Sequence, residues 1–170
     1  MATPTYTLID STTLGSSAAS VTFSGISATG KGDLVLAWEG LLAGGTNQIN
    51  TLLSFNGDSS NYSTVYMYGN GSSAASASST AQQRLAWGSI YTSASTDSAQ
   101  GTAQIMDYSA TDKHKTTLMR ANVIGTNGIG ALASASRWAS TAAITSITVS
   151  STVDAFAAGA TLFLYQLVSE

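Results

Sequence analysis

The side chains most often used for acid–base or metal chemistry are, in this chain, nine carboxylates and one histidine, since it has no cysteine. Without cysteine there are no thiolate metal sites, cysteine nucleophiles or disulfides. A serine triad places a histidine between a serine and a carboxylate, but His114 lies in the turn-like stretch ATDKHKTT and no G-x-S-x-G motif occurs. One histidine also cannot form the usual multi-histidine zinc site. We expect His114, with Lys113 and Lys115, to form a solvated turn.

Two acidic residues, Glu39 and Asp107, lie inside stretches with strand-like alternation. Glycoside hydrolysis needs two carboxyl groups about 5–10 Å apart, so this pair is the candidate for a glycan-cleaving enzyme. Nothing else in the sequence supports that activity. We predict a protein that is not an enzyme, with no catalytic, metal-binding or cofactor-binding residues.

The stretch LLSFNGDSSNYS (52–63) contains Asn56-Gly57-Asp58 between two apolar runs. A calcium loop needs about six to eight oxygen ligands, and Asp58 is the only carboxylate nearby. Asn-Gly between alternating runs is the strongest short signal for a β-hairpin with a type I′ turn. We predict a hairpin here, with an ion or sugar site as the alternative.

The elements that position these residues are strands, because the dominant period of the sequence is two. ASVTFSG, DLVLAWEG and YSTVYMYG alternate, and about ten such runs are separated by Gly, Ser, Asn or Asp. We predict one all-β domain over residues 1–170, an antiparallel β-sandwich of about 8–10 strands, jelly-roll-like. Two Ser/Ala/Gly-rich stretches, near 69–81 and 91–101, are predicted to be surface loops or arms.

Apolar residues at alternate positions are the core candidates: Phe23, Leu34, Leu36, Trp38, Leu53, Phe55, Ile105, Leu118, Val123, Ile144, Ile147, Leu162 and Leu164. Some strands are apolar on their second face too, at Leu52, Phe163, Tyr165 and Leu167, which indicates a subunit interface. Aromatic residues could also line a sugar groove, but they more often serve as core or interface anchors. The candidate interface residues are Trp87, Trp138, Tyr165 and Leu167.

Charge is scarce, at 9% of residues with a net charge of −3. Nucleic-acid binders carry a basic stripe, so we expect no nucleic-acid partner. No apolar run approaches the ~20 residues of a membrane span, and the first residues lack the pattern of a secretory signal. A surface this poor in charge is weakly protected against association. We therefore expect partner subunits to cover much of it.

Three segments carry a resemblance to a known family: TLIDSTTLGSSAASVTFSGI (7–26), LLSFNGDSSNYS (52–63) and AITSITV with FAAGATLFLY (143–165). They resemble small virion structural proteins of tailed bacteriophages, common among phages of cyanobacteria. The resemblance implies a jelly-roll-like β-sandwich, usually trimeric, used as a capsid decoration (cement) protein or as a tail appendage. It brings no catalytic residues.

The sequence and this resemblance together predict a decoration protein on the capsid exterior. It would form a homotrimer, bind the major capsid protein and stabilise the shell by binding only its assembled form. The alternative is a tail-fibre or receptor-binding module that recognises host surface glycans through Trp and Tyr faces.

Overall fold

A computed structural model of the chain describes residues 5–40, 51–81, 83–86, 98–125, 128–152 and 155–167. Within these ranges the structure contains β-strands and no helix, so the predicted all-β class is confirmed. The strands are β1 (Tyr6–Thr13), β2 (Ser20–Ser24), β3 (Asp33–Gly40), β4 (Thr51–Phe55), β5 (Tyr62–Gly69), β6 (Ala74–Ser79), β7 (Gln83–Ala86), β8 (Ser98–Met106), β9 (Lys115–Gly125), β10 (Gly128–Trp138), β11 (Ser146–Ser151) and β12 (Thr161–Leu167).

The strands form two antiparallel sheets that pack as a β-sandwich. The large sheet has eight strands in the order β1-β12-β3-β8-β9-β10-β5-β6, and the small sheet has four in the order β2-β11-β4-β7. Every pair of neighbouring strands is antiparallel. The predicted sandwich is therefore confirmed, with more strands than the sequence indicated.

Eight of the strands follow jelly-roll connectivity, in which the chain passes repeatedly between the two sheets. β1, β12, β3 and β8 form four neighbouring strands of the large sheet, and β2, β11, β4 and β7 form the small sheet. The other four strands are two hairpins, β5-β6 and β9-β10, that pair with each other through β10 and β5. They continue the large sheet beyond β8, so its width is doubled.

The core lies between the sheets and is filled by alternate side chains. Ten predicted core residues are buried: Phe23, Leu34, Leu36, Leu53, Phe55, Ile105, Ile144, Ile147, Leu162 and Leu164. Trp38 is partly buried against them, and the side chain of Val123 lies outside the described residues. Leu118 was predicted wrongly, since it is 44% exposed while its neighbours Thr117 and Met119 are buried. Strand alternation turns Leu118 to the opposite face.

The Ser/Ala/Gly-rich stretch near 69–81 is not a loop throughout, because Ala74–Ser79 forms β6 at the edge of the large sheet. A strand needs only backbone pairing, and these small side chains give no alternation that would reveal it. The second predicted loop, near 91–101, lies outside the described residues up to residue 97. Its last residues, from Ser98 onward, begin β8.

The Asn56-Gly57 turn is confirmed, whereas the hairpin is wrong. Both residues have positive φ, 52° and 73°, and the N–H of Asp58 donates to the carbonyl of Phe55 at 2.9 Å. However, β4 belongs to the small sheet and β5 to the large one. The turn is a corner at which the chain crosses between sheets.

Candidate functional site

The candidate site is the outer face of the large sheet, the side turned away from the small sheet. Strand register places side chains of this face in rows that run across the strands. One middle row contains Ser11, Phe163, Ala37, Thr102, Arg120, Ala133 and Met67, and the next contains Leu8, Tyr165, Val35, Gln104, Leu118, Ala135 and Val65. Seven strands spaced by about 4.8 Å make these rows about 29 Å wide. Arg120 is the only formally charged side chain in either row.

Large apolar side chains on this face are exposed to solvent. Met67 is 64% exposed and Val65 61%, both on β5, and Tyr6 and Leu8 at the opposite edge are about half exposed. Single exposed apolar residues are ordinary on monomeric proteins, but contiguous apolar surface of this extent usually marks an interaction site. The face is therefore the strongest candidate for binding.

Two adjoining depressions lie in the middle of the outer face and together form a trough. Their volumes are about 700 Å³ and about 470 Å³, and Ala37, Thr102 and Arg120 line both. Val35, Tyr165 and Leu118 line the larger depression, whereas Phe163 and Asn122 line the smaller. The small side chains of Ala37 and Thr102 leave space above β3 and β8, so a ligand or partner can approach Arg120.

Arg120 is exposed, and among the described residues its guanidinium has no hydrogen-bond or ion-pair partner. Unlike Arg120, Gln104 has a partner in the protein, because its Nε2 donates a hydrogen bond to Asp33 Oδ2 at 2.6 Å. Arg120 is not among the residues predicted from the sequence. Its position two residues after Leu118 was the available signal, since residues i and i+2 of a strand share a face.

Aromatic rings form one side of the trough. Phe163 and Tyr165 stack with centroids 6.2 Å apart and planes 24° apart, while Tyr6 meets Tyr165 edge-to-face at 6.4 Å. Tyr165 and Leu167 thus lie on the outer face, as expected of interface residues, although their role as an interface stays a prediction. Trp87 lies outside the described residues.

Trp138 was predicted to be an interface residue, but it is buried within the chain at 2% exposure. It packs edge-to-face on Phe55 at 5.6 Å and is stacked with Tyr62 at 6.5 Å. Its indole Nε1 donates to Asp58 Oδ2 at 2.8 Å. Trp138 therefore anchors the corner between the sheets.

Asp58 holds this corner as an ionised hydrogen-bond acceptor. Besides the Trp138 indole, it accepts from Ser60 N at 3.0 Å and from Asn61 Nδ2 at 2.8 Å. These donors, the Trp138 indole first, hold the pKa of Asp58 well below its usual range. Because its oxygens already have protein partners, the structure gives no support to the alternative of an ion site in this loop.

Tyr62 completes the corner. Its hydroxyl donates to the Asp58 carbonyl at 3.0 Å and accepts from Phe55 N at 2.8 Å. Burial of the phenol raises the pKa of Tyr62 to about 12. The hydroxyl is thus a neutral structural group at physiological pH.

Lys115 is fully buried at 0% exposure, which corrects the predicted solvated cluster. Its Nζ donates to the carbonyls of Ala110, Lys113 and Thr141 at 2.6, 3.1 and 3.3 Å. Burial lowers the pKa of Lys115 below its ordinary value. His114 and Lys113 are exposed, as predicted, and Lys113 forms an ion pair with Asp107 at 3.3 Å.

The two carboxylates considered for hydrolysis lie far apart. Glu39 is paired with Gln100 near the start of β8, whereas Asp107 follows the last residue of that strand. Seven residues at about 3.3 Å each separate these levels by about 23 Å, well beyond the spacing of a glycosidase pair. In the ranges that the structure describes, no three His, Asp or Glu side chains cluster as metal ligands.

Comparison with known proteins gave no match among protein-family models, curated proteins or solved structures. The resemblance to phage virion proteins stays a prediction based on the three sequence segments. Within the described part of the chain, no helix has the length and apolar character needed to cross a membrane.

Proposed function

We propose that this chain is a phage virion protein that decorates the capsid exterior and stabilises the shell. The observation that carries the proposal is the outer face of the large sheet, whose two middle rows are wide, largely apolar and contain a single charged side chain, Arg120. Capsid decoration needs adhesion and no reaction, which agrees with the separation of Glu39 from Asp107. Jelly rolls occur in viral capsid proteins, and this analogy of fold adds only general support.

The size of the outer face suits a stable contact. Four rows of side chains spaced by about 6.7 Å give a length of about 20 Å, so the face covers about 600 Å². A specific interface of standard size buries about 800 Å² per partner. Contact with the major capsid protein through this face, completed by its rim, meets that requirement. We further propose that the copies act as homotrimers, each occupying a junction between capsid subunits.

Binding only to the assembled shell stabilises it by mass action, in proportion to RT ln(1 + [L]/Kd). The direct test uses phage heads assembled without this protein. Purified protein should sediment with such heads and raise the temperature at which they release DNA. Heads whose thermal release is unchanged by bound protein would contradict stabilisation, and heads that bind none would contradict decoration.

Matched variants locate the contact. The double variant V65D/L118D places two charges on the outer face, where both side chains are exposed, and should abolish sedimentation with heads. T22D places a charge on β2, in the small sheet, where Thr22 is exposed, and should bind like wild type. The opposite pattern would assign the contact to the small sheet.

A second candidate function is recognition of host glycans. The stacked rings of Phe163 and Tyr165 beside Thr102 and Arg120 combine an aromatic surface with polar groups, as in many sugar sites. A tail-located receptor-binding module would be present in few copies per particle. Localising the chain in an image of the virion separates this function from decoration.

A further inference from the structure

The position of Arg120 indicates the chemistry of the partner. Its guanidinium lies in the middle of an apolar face and has no protein partner among the described residues. Covering the face removes water from this cation, and burying a charge without a partner strongly opposes binding. An occupant that binds tightly must therefore bring an anion to Arg120.

A second copy of the chain stacked on this face does not meet that requirement. A twofold axis through the middle of the face would bring Arg120 near its own counterpart, and facing like charges repel. Of the acidic residues of this face, Asp33 lies in a marginal row, whereas Glu39 lies in the row next to Arg120 and lines the smaller depression with it, although no ion pair joins the two. Asp33 is also engaged, since its Oδ1 accepts from Asp107 N at 2.9 Å and its Oδ2 from Gln104.

The trough also restricts the shape of the occupant. Small side chains form its floor, apolar side chains such as Leu118 and Ala133 line the larger depression, and polar side chains such as Asn122 line the smaller. A projecting segment fills such a trough, whereas a flat surface leaves it empty. Arg binds a carboxylate through two parallel hydrogen bonds, which fixes the position of the segment as well as its charge.

We propose that the trough receives a projecting polypeptide segment of the shell protein that carries an Asp or Glu between apolar side chains, with its carboxylate paired to Arg120. This inference rests on the proposed decoration function and names the chemistry of the partner. Arg120 supplies the specificity, while the apolar rows around it supply the contact area.

The test measures binding of wild-type and variant protein to heads assembled without it. R120Q should weaken binding at least about 30-fold, the lower end of the cost of breaking a buried charge pair. R120K should recover part of the affinity, because it restores the charge without the two-pronged geometry. R137Q is the matched control: Arg137 is exposed on the outer face too, but in a marginal row outside the trough, so R137Q should weaken binding much less than R120Q.

The outcomes separate this inference from the proposed function. If R120Q binds heads as tightly as wild type while V65D/L118D does not bind, decoration stands and the carboxylate partner is wrong. If wild type does not bind heads, both fail. The last measurement uses polygalacturonate, an acidic polysaccharide, as a competing ligand. If it binds wild type but not R120Q and displaces the protein from heads, the trough takes an acidic saccharide and the polypeptide proposal is overturned.

Discussion

The Asp58 carboxylate joins three kinds of donor at one corner: a buried indole, a side-chain amide and a backbone amide. Such an arrangement stabilises the ionised form, so Asp58 contributes to stability only while it is deprotonated. Its folded-state pKa lies below the ordinary aspartate pKa of 3.8. The contribution is complete above about that pH and is lost as the pH falls further.

We predict that D58A lowers the free energy of unfolding at pH 7 by about 1–3 kcal/mol, the usual cost of leaving a buried donor unsatisfied. The difference from wild type should shrink as the pH is lowered from 4 towards 2. Urea unfolding followed by tryptophan fluorescence measures both effects. D10A is the control, because Asp10 is exposed and accepts only from the adjacent Ser11 N. A pH-independent difference would contradict the role of ionised Asp58.

The pKa of Lys115 is also lowered on folding, so stability again rises with pH, but at alkaline pH and because burial disfavours the charged form. Burial lowers its folded-state pKa below the ordinary lysine pKa of 10.5, so at alkaline pH the unfolded chain binds more protons than the folded one. Stability from this group therefore rises with pH until 10.5 is reached.

We predict that K115M is less stable than wild type by about 1–3 kcal/mol at neutral pH, because buried carbonyls lose their donor. The difference should widen between pH 8 and 10, as measured by urea unfolding at each pH. The raised pKa of Tyr62 affects both proteins equally and cancels in the comparison. K113M, at an exposed position, should show no such widening, and a constant difference for K115M would exclude this linkage.

These residue roles could not be predicted from the sequence. Lys115 is surrounded by charged and polar residues, which normally indicates a solvated turn, and only the fold brings the Ala110 and Thr141 carbonyls to its ammonium. Likewise, Asp58 is separated from Trp138 by 80 residues. The sequence could have indicated Arg120 as an outer-face residue. However, Leu118 shares a strand face with Arg120, and its apolar side chain suggested that this face pointed into the core.

At the scale of elements, the corner after β4 depends on Asn56 in two ways. Its backbone adopts positive φ, and its side chain joins the segment before β11. Nδ2 donates to the Ala143 carbonyl at 2.8 Å, while Oδ1 accepts from Thr145 N at 2.8 Å and Ser146 N at 3.1 Å. The side chain thereby connects residues almost 90 positions apart.

We predict that N56G, which keeps the turn geometry and removes these bonds, lowers stability by about 1–3 kcal/mol. N70G should cost less, because the Asn70 side chain accepts only from Ser72 and Ser73 in its own turn. Thermal and urea unfolding of both variants check the order. Equal losses would show that the long-range bonds add nothing to a local turn.

Strand periodicity predicted most of the elements and the sandwich class. It could not assign strands to sheets, so the Asn56-Gly57 turn looked like a hairpin although β4 and β5 belong to different sheets. It also failed at β6, whose Ser and Ala residues do not alternate. In β9, an apolar Leu118 on the outer face removed the contrast that distinguishes inside from outside.

At the scale of the whole molecule, the outer face should dominate association with apolar surfaces. The triple variant V65T/M67T/L118T should elute earlier than wild type from a hydrophobic column in ammonium sulfate, which strengthens apolar contacts. Because all three side chains are exposed, its stability should stay within about 0.5 kcal/mol of wild type. Unchanged retention would mean that another surface of the molecule is the adhesive one.

The last strand of the chain, β12, also constrains the order in which the large sheet can form during synthesis. β12 fills the place between β1 and β3, pairing with both. During synthesis β1 therefore has no pairing partner in its own sheet until β12 has emerged from the ribosome. The jelly roll closes in a single late step, and a stalled or shortened product would expose two open sheet edges to other copies emerging nearby.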